Sequence, residues 1–299
     1  MKKIMMISSV VLLAVGCSNA ENEQGSNEAT EVNQNNTTSN NTNVNEPQNE
    51  EEGVHNEQND VDEVDNDTAA SETNVENEGN EVEMEDQVEE EAETRYSLQT
   101  DHTVAPIDDA PAEVVLLTID DAPDNYGVEM AEVLSELEVP AIFFVNGHFI
   151  QSDEGKQELQ AIYDLGFEIG NHTMSHPNLR DISDEQVEEE IVQLNNEIED
   201  IIGERPRFFR APFGANSDKS EEVVEAEGMQ SMNWTYGYDF TPEYMETEAL
   251  GEIMVETELL RNGANLLMHD REFTLEALPA IAEGLREKGY EFVDPKELE

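Results

Sequence analysis

His172 and His176 stand four positions apart in His-Thr-Met-Ser-His, so both imidazoles can face one point from a helical turn or a compact loop. A carboxylate would complete a three-ligand set of nitrogen and oxygen donors without a thiolate. Such a set suits Zn2+ or another divalent transition ion and leaves positions open for water and substrate. Asp120 and Asp121 offer that carboxylate as an adjacent pair within Thr118-Ile119-Asp120-Asp121-Ala122-Pro123. Neighbouring residues at a strand end point in different directions, so one acid can ligate a metal while the other serves as a base. Arg210 is a candidate counterion for a buried, ionised base. His269, at the end of an apolar run, is a candidate proton donor to a leaving group. Singly, each has a plainer reading as a packing histidine, a loop histidine or a solvated acidic turn. Together they favour a metal site.

The elements that must position these groups are short apolar runs alternating with segments of helical period. The runs are Val114 to Thr118, Ala141 to Val145, Phe167 to Asn171, Arg207 to Arg210, Gln230 to Trp234, Ala264 to Met268 and Tyr290 to Val293. The clearest helix is predicted over Asp184 to Ile202, where Val187, Ile191, Leu194, Ile198 and Ile201 recur at three- and four-residue steps. Gly166, Gly228 and Gly289 fall where helices must stop before the next strand. Seven strands alternating with helices predict an α/β domain with a mostly parallel sheet, open or closed into a barrel. In such folds functional groups collect beyond the carboxyl ends of the strands, which is where these clusters fall. The run over Gln230 to Trp234 leads to Asp239-Phe240, and Arg210 opens Arg-Ala-Pro-Phe-Gly.

Taken in order, these segments resemble the polysaccharide deacetylases, carbohydrate esterase family four, also called the NodB-homology domain. The resemblance covers about residues 110 to 295. Thr118 to Pro123 is similar to the family's Thr-Phe-Asp-Asp-Gly-Pro and implies Asp120 as catalytic base and Asp121 as a metal ligand. His172 to His176 implies both histidines as the other ligands. Arg210 to Gly214 implies a groove wall containing Phe213 and Gly214, with Arg210 steadying the base. Asp239-Phe240 resembles the fourth motif, and Leu267 to His269 the fifth, with His269 as catalytic acid. The family implies a distorted (β/α) barrel of about seven parallel strands. It also implies hydrolysis of N-acetyl groups on a polysaccharide, peptidoglycan or a chitin-like polymer, by a divalent metal, Zn2+ first and Co2+, Ni2+ or Mn2+ as alternatives. An O-acetyl xylan-type esterase and a catalytically weak carbohydrate-binding protein stay open beside it. Ala122 replaces the usual Gly, and Phe240 stands where Trp is common. Gly237 occupies a place where many members have an additional Asp, which predicts thinner support around Arg210. The backbone N–H of Phe213 is a candidate donor to a developing oxyanion. Phe213, Trp234, Tyr238 and Phe240 are candidate sugar-binding walls, with Trp234 equally readable as core.

The chain of 299 residues has 72 acidic and 14 basic residues, a formal net charge of −58. Nucleic acid is thereby a poor partner, since a polyanion site needs Lys and Arg to displace counterions. An acidic excess this large suits a salty environment that screens self-repulsion. Lys2, Lys3 and the apolar run Ile4 to Val15 read as an export signal too short to span a bilayer as a helix. Small residues then precede Cys17, the one cysteine of the chain, an arrangement that resembles a bacterial lipoprotein signal with Cys17 lipidated. From Ser18 to about Thr94 there is no Lys, Arg or aromatic residue, and such a segment cannot bury enough apolar surface to offset backbone ordering. The expected organisation is a signal over 1–16, a disordered acidic linker over 17–95 and the folded domain over 96–299. The product is expected to be an exported, membrane-anchored monomer on the extracellular face or in the cell wall.

Overall fold

The structure is a computed structural model and describes residues 93–299. The expected signal, Cys17 and nearly all of the expected linker lie outside the described residues. Among the described residues, no helix is long and apolar enough to cross a membrane.

The chain enters through a two-stranded hairpin, β1 (Tyr96–Leu98) and β2 (Val104–Pro106), that periodicity does not foretell. The main sheet is built from β3 (Val114–Ala122), β4 (Ile142–Val145), β5 (Glu168–Asn171), β6 (Phe208–Phe209), β7 (Gln230–Ser231), β8 (Tyr236–Gly237) and β9 (Ala264–His269). Helices follow as α1 (Gly127–Glu136), α2 (Asp153–Asp164), α3 (Asp184–Ile202), α4 (Asp218–Ala226), α5 (Thr247–Glu256) and α6 (Glu272–Glu287). The strand order is β7-β6-β5-β4-β3-β9-β8, every pair parallel, and the short β10 (Glu291–Phe292) pairs beside the start of β3. The result is a curled, barrel-like sheet of seven parallel strands with helices, as expected from sequence.

Two details differ. The run over Gln230 to Trp234 is strand only at its start, in β7, and β8 begins after it, because the carbonyls of Met232 and Asn233 turn to Arg210 and that of Asn233 also to Asn265. Between β7 and β8 the sheet is left with a seam, since the two edges are not paired with each other. The run ending in Val293 does form a strand, β10, but a two-residue one that joins the same sheet as an eighth member beside the start of β3, off the continuous order.

β3 shows why the site sits where it does. Val115, Leu117 and Ile119 join the large core under the helices, whereas Val114 and Leu116 face the barrel interior with Ile142, Phe144, Phe208 and Met232. Alternation then carries Thr118 and Asp120 up the interior row, both buried. α3 spans the predicted residues and opens with a capping box between Ser183 and Gln186. Its Val187, Ile191, Leu194 and Ile198 are buried as expected, and Ile201 is half-buried at the fraying edge of that face.

Candidate active and metal site

The adjacent acids do not diverge as strand alternation would have them. Asp121 has φ 64, and the β3–β4 register shifts between Asp120 and Ala122. This bulge aims both carboxylates at the histidine pair. His172 Nε2 lies 3.6 Å from Asp120 Oδ2 and 3.8 Å from Asp121 Oδ1, and His176 Nε2 lies 3.6 Å from Asp121 Oδ1. These separations are too long for hydrogen bonds. They match donors arranged around a cation held at about 2.0–2.2 Å. The donor atoms of Asp121, His172 and His176 all lie within 4.8 Å of one another.

Two further observations fit a cation there. Asp121 Oδ1 is buried and has no hydrogen-bond partner. His172 Nδ1 lies 2.7 Å from the Arg210 carbonyl, so Nδ1 carries the proton and the Nε2 lone pair faces the carboxylates. Burial, and next the neighbouring His172, hold His176 below the ordinary histidine pKa, favouring the neutral form a ligand needs. Of the seven non-glycine residues with positive φ among the described residues, Asp121, Thr173, His176 and Phe213 all belong to this site. Such conformations cost about 1 kcal/mol or more each and persist where the surroundings impose them.

Arg210 is fully buried beneath the acids, its guanidinium 4.3 Å from the Phe144 ring. Nη1 donates to Asp120 Oδ1 at 2.6 Å and Thr118 Oγ1 at 2.8 Å; Nη2 donates to the Asn233 carbonyl at 3.0 Å and Asn265 Oδ1 at 3.4 Å; Nε donates to the Met232 carbonyl at 3.3 Å. The support expected to be thin is therefore complete. Thr118, Asn265 and the seam carbonyls supply it, and a Cβ at Gly237 would lie 2.5 Å from the Leu267 carbonyl oxygen, so no larger side chain fits there.

Across the β3–β9 ladder, Asp120 is the register partner of His269. His269 Nδ1 lies 2.8 Å from Asp239 Oδ1, while Asp239 Oδ2 accepts from the His269 backbone N–H at 2.6 Å and from Thr274 Oγ1 at 3.1 Å. Asp239 is fully buried. Burial pulls the His269 pKa down, but the Asp239 hydrogen bond and charge, with the charges of Asp120 and Asp121, outweigh it and raise it.

The rim is aromatic. Phe213 is 68% exposed with its ring 4.8 Å from His176, and Phe240 is 45% exposed with its ring edge-on to His269 at 5.7 Å. Gly214 backs onto the half-buried Trp234, and Leu267, on the same face of β9 as His269, is only 2% exposed, so it forms floor rather than wall. Tyr238 turns aside to bond Thr257. His148 is exposed on the turn after β4, beside Phe149. Sequence reasoning missed the short polar residues that hold the loops. Asn146 donates to the His172 carbonyl, Thr173 Oγ1 accepts from the His176 N–H, and Glu190 accepts from both the N–H and the hydroxyl of Ser175. Period-two counting back from Asp120 and His269 reaches Thr118 and Asn265, a signal that was there to be read.

Residues 108–232 match the family model described as Polysaccharide deacetylase. The uncharacterized protein YlxY of Bacillus subtilis is 29% identical over 56% of this chain, which spans about half, 51%, of that protein's length. A Bacillus cereus protein named peptidoglycan-N-acetylglucosamine deacetylase is 30% identical, covering 60% of this chain and 68% of its own. Among solved structures, a CE4 family pseudoenzyme from Bacillus anthracis is similar with a TM-score of 0.55 and 28% identity, over 60% of this chain and 63% of that one.

Proposed function

This chain belongs to the polysaccharide deacetylase family, and from that premise we propose that it removes N-acetyl groups from a polysaccharide by metal-dependent hydrolysis, with peptidoglycan as the first substrate. One observation carries the reading. The Asp120 carboxylate is gripped on one oxygen by the buried Arg210 and turns the other toward His172, opposite a His269–Asp239 pair.

Asp121, His172 and His176 would hold the divalent ion, Zn2+ by preference for a site of two imidazoles and a carboxylate. When bound, it supplies Lewis-acid polarisation of the amide carbonyl and lowers the pKa of water. Asp120, held in place by the guanidinium, accepts the proton of the attacking water as its oxygen bonds to the carbonyl carbon. The Phe213 N–H is the candidate donor to the developing oxyanion. Protonated His269, oriented by Asp239, delivers its proton to the departing sugar nitrogen as the carbon–nitrogen bond breaks, leaving a free amine and acetate. Phe213 and Phe240 flank the opening as apolar faces for sugar rings. Export and a lipid anchor at Cys17, extending the domain from a membrane on its acidic linker, complete the proposal.

Acetate release from peptidoglycan, chitooligosaccharide and acetylated xylan, with and without chelator, tests it. Chelator-sensitive release from an N-acetylated polymer is expected. Release from xylan alone would make this an O-acetyl esterase, and no release from any of the three would leave a carbohydrate-binding protein.

A further inference from the structure

Asp270 is a buried carboxylate that the chemistry above does not use. It follows His269 directly and is 4% exposed. Its oxygens accept three consecutive backbone N–H bonds from the loop after β3: Asp124 at 2.7 Å, Asn125 at 3.3 Å and Tyr126 at 2.7 Å. Its own N–H donates to the Asp120 carbonyl at 3.1 Å. A carboxylate is expensive to bury unless hydrogen bonds replace its water, and here the chain's own amides do so. Tyr126 is the N-cap of α1 and its side chain makes no cap hydrogen bond; Asp270, directly after β9, holds the Tyr126 N–H instead.

The grip falls on both sides of Asp121: on the carbonyl of the residue before it and on the amides that begin three residues after it. Asp121 itself holds a left-handed backbone conformation, and its buried Oδ1 makes no hydrogen bond that would hold it there. We propose that Asp270 is a positioning residue that fixes Asp121 against the histidine pair and binds that loop to the strand end carrying His269. One carboxylate thereby assembles the cation seat and the acid arm together. This rests on the metal-site reading above.

Two variants test it by Zn2+ affinity, measured by chelator competition alongside thermal unfolding. Asp270→Asn keeps the shape but turns an amide NH2 toward N–H donors; Zn2+ affinity is expected to fall by about 10–100-fold, the usual cost of losing an outer support of a metal site. Gly127→Ala leaves Asp270 in place but puts a Cβ 2.9 Å from its Oδ2, with the next neighbours at 3.4 Å. The carboxylate must swing away, while α1 gains a better helix former. The expected result is a folded variant whose Tm is lowered by the disturbed bonds and whose Zn2+ affinity is weakened as well; a merely structural Asp270 would lower the Tm alone. Should Asp270→Asn fail to fold, Gly127→Ala decides alone. Wild-type Zn2+ affinity in a folded variant of either kind overturns the proposal, and a wild type that binds no Zn2+ overturns it together with the metal site. A wild type that binds Zn2+ more tightly than the variants, yet releases no acetate, strikes down the proposed activity and leaves Asp270's role standing.

Discussion

At the residue scale, the division between Asp120 and Asp121 is set by what each carboxylate touches. Asp120 is held by a guanidinium, whereas Asp121 Oδ1 has no hydrogen-bond partner and faces two imidazoles. Asp120→Asn should therefore lower turnover by about 100-fold or more, the scale of a lost general base, while zinc content measured by atomic absorption stays near wild type. Retained turnover would remove Asp120 as the base. The His269–Asp239 pair makes a separate prediction about pH. Asp239 raises the His269 pKa against the opposing pull of burial, so His269 stays protonated to higher pH than it otherwise would. In Asp239→Asn the burial effect prevails and the pKa falls. The alkaline limb of the kcat–pH profile should then move to lower pH, and an unmoved limb would mean that His269 is not the acid. Asp120, Asp121 and His269 were legible in the sequence because each follows an apolar run, whereas Asp239 stood out through the family resemblance. The left-handed turn at Asp121 was not legible, since it is imposed by the bulge and by Asp270, which acts from beyond the end of β9.

At the element scale, legibility followed the length of the apolar run. β3, β4, β5 and β9 are long enough to show themselves, and α3 announces both its buried face and its cap. The break between β7 and β8 was hidden because its cause is tertiary: backbone carbonyls there leave the ladder to satisfy a buried arginine. A two-residue strand has no periodicity to read. The seam makes Gly237 a point of contact rather than of freedom. A Cβ there would meet the Leu267 carbonyl oxygen at 2.5 Å and the Leu267 Cβ at 2.9 Å, and a backbone atom cannot rotate away. Gly237→Ala should cost about 1–3 kcal/mol of stability by overpacking, measured by urea unfolding. It should also lower activity by displacing the neighbouring strand that carries His269. Wild-type stability in this variant would mean that the seam opens freely and that the family's additional acid was lost for a reason other than space.

At the scale of the whole molecule, charge outweighs any single contact. Of the basic side chains at the described surface, Arg95, Arg205, Arg207, Lys219, Arg261 and Lys288 are each paired with a carboxylate. With 72 acidic residues against 14 basic ones in the chain, most carboxylates have no cation available to pair with. Surface ion pairs of this kind contribute little individually, about 0–1 kcal/mol, so they do not offset the summed repulsion. Added salt should therefore stabilise the fold, in a form that identifies its cause. Screening acts mainly while the Debye length falls from about 30 Å at 0.01 M to about 3 Å at 1 M, so it saturates. Salt exclusion from the protein surface instead keeps strengthening apolar burial as a salt such as sulfate is added. A Tm that climbs steeply over the first few hundred millimolar NaCl and then levels off is the expected outcome. A Tm flat from low salt upward would mean that the acidic surface carries no self-repulsion worth screening, and the inference of a salty working environment would go with it.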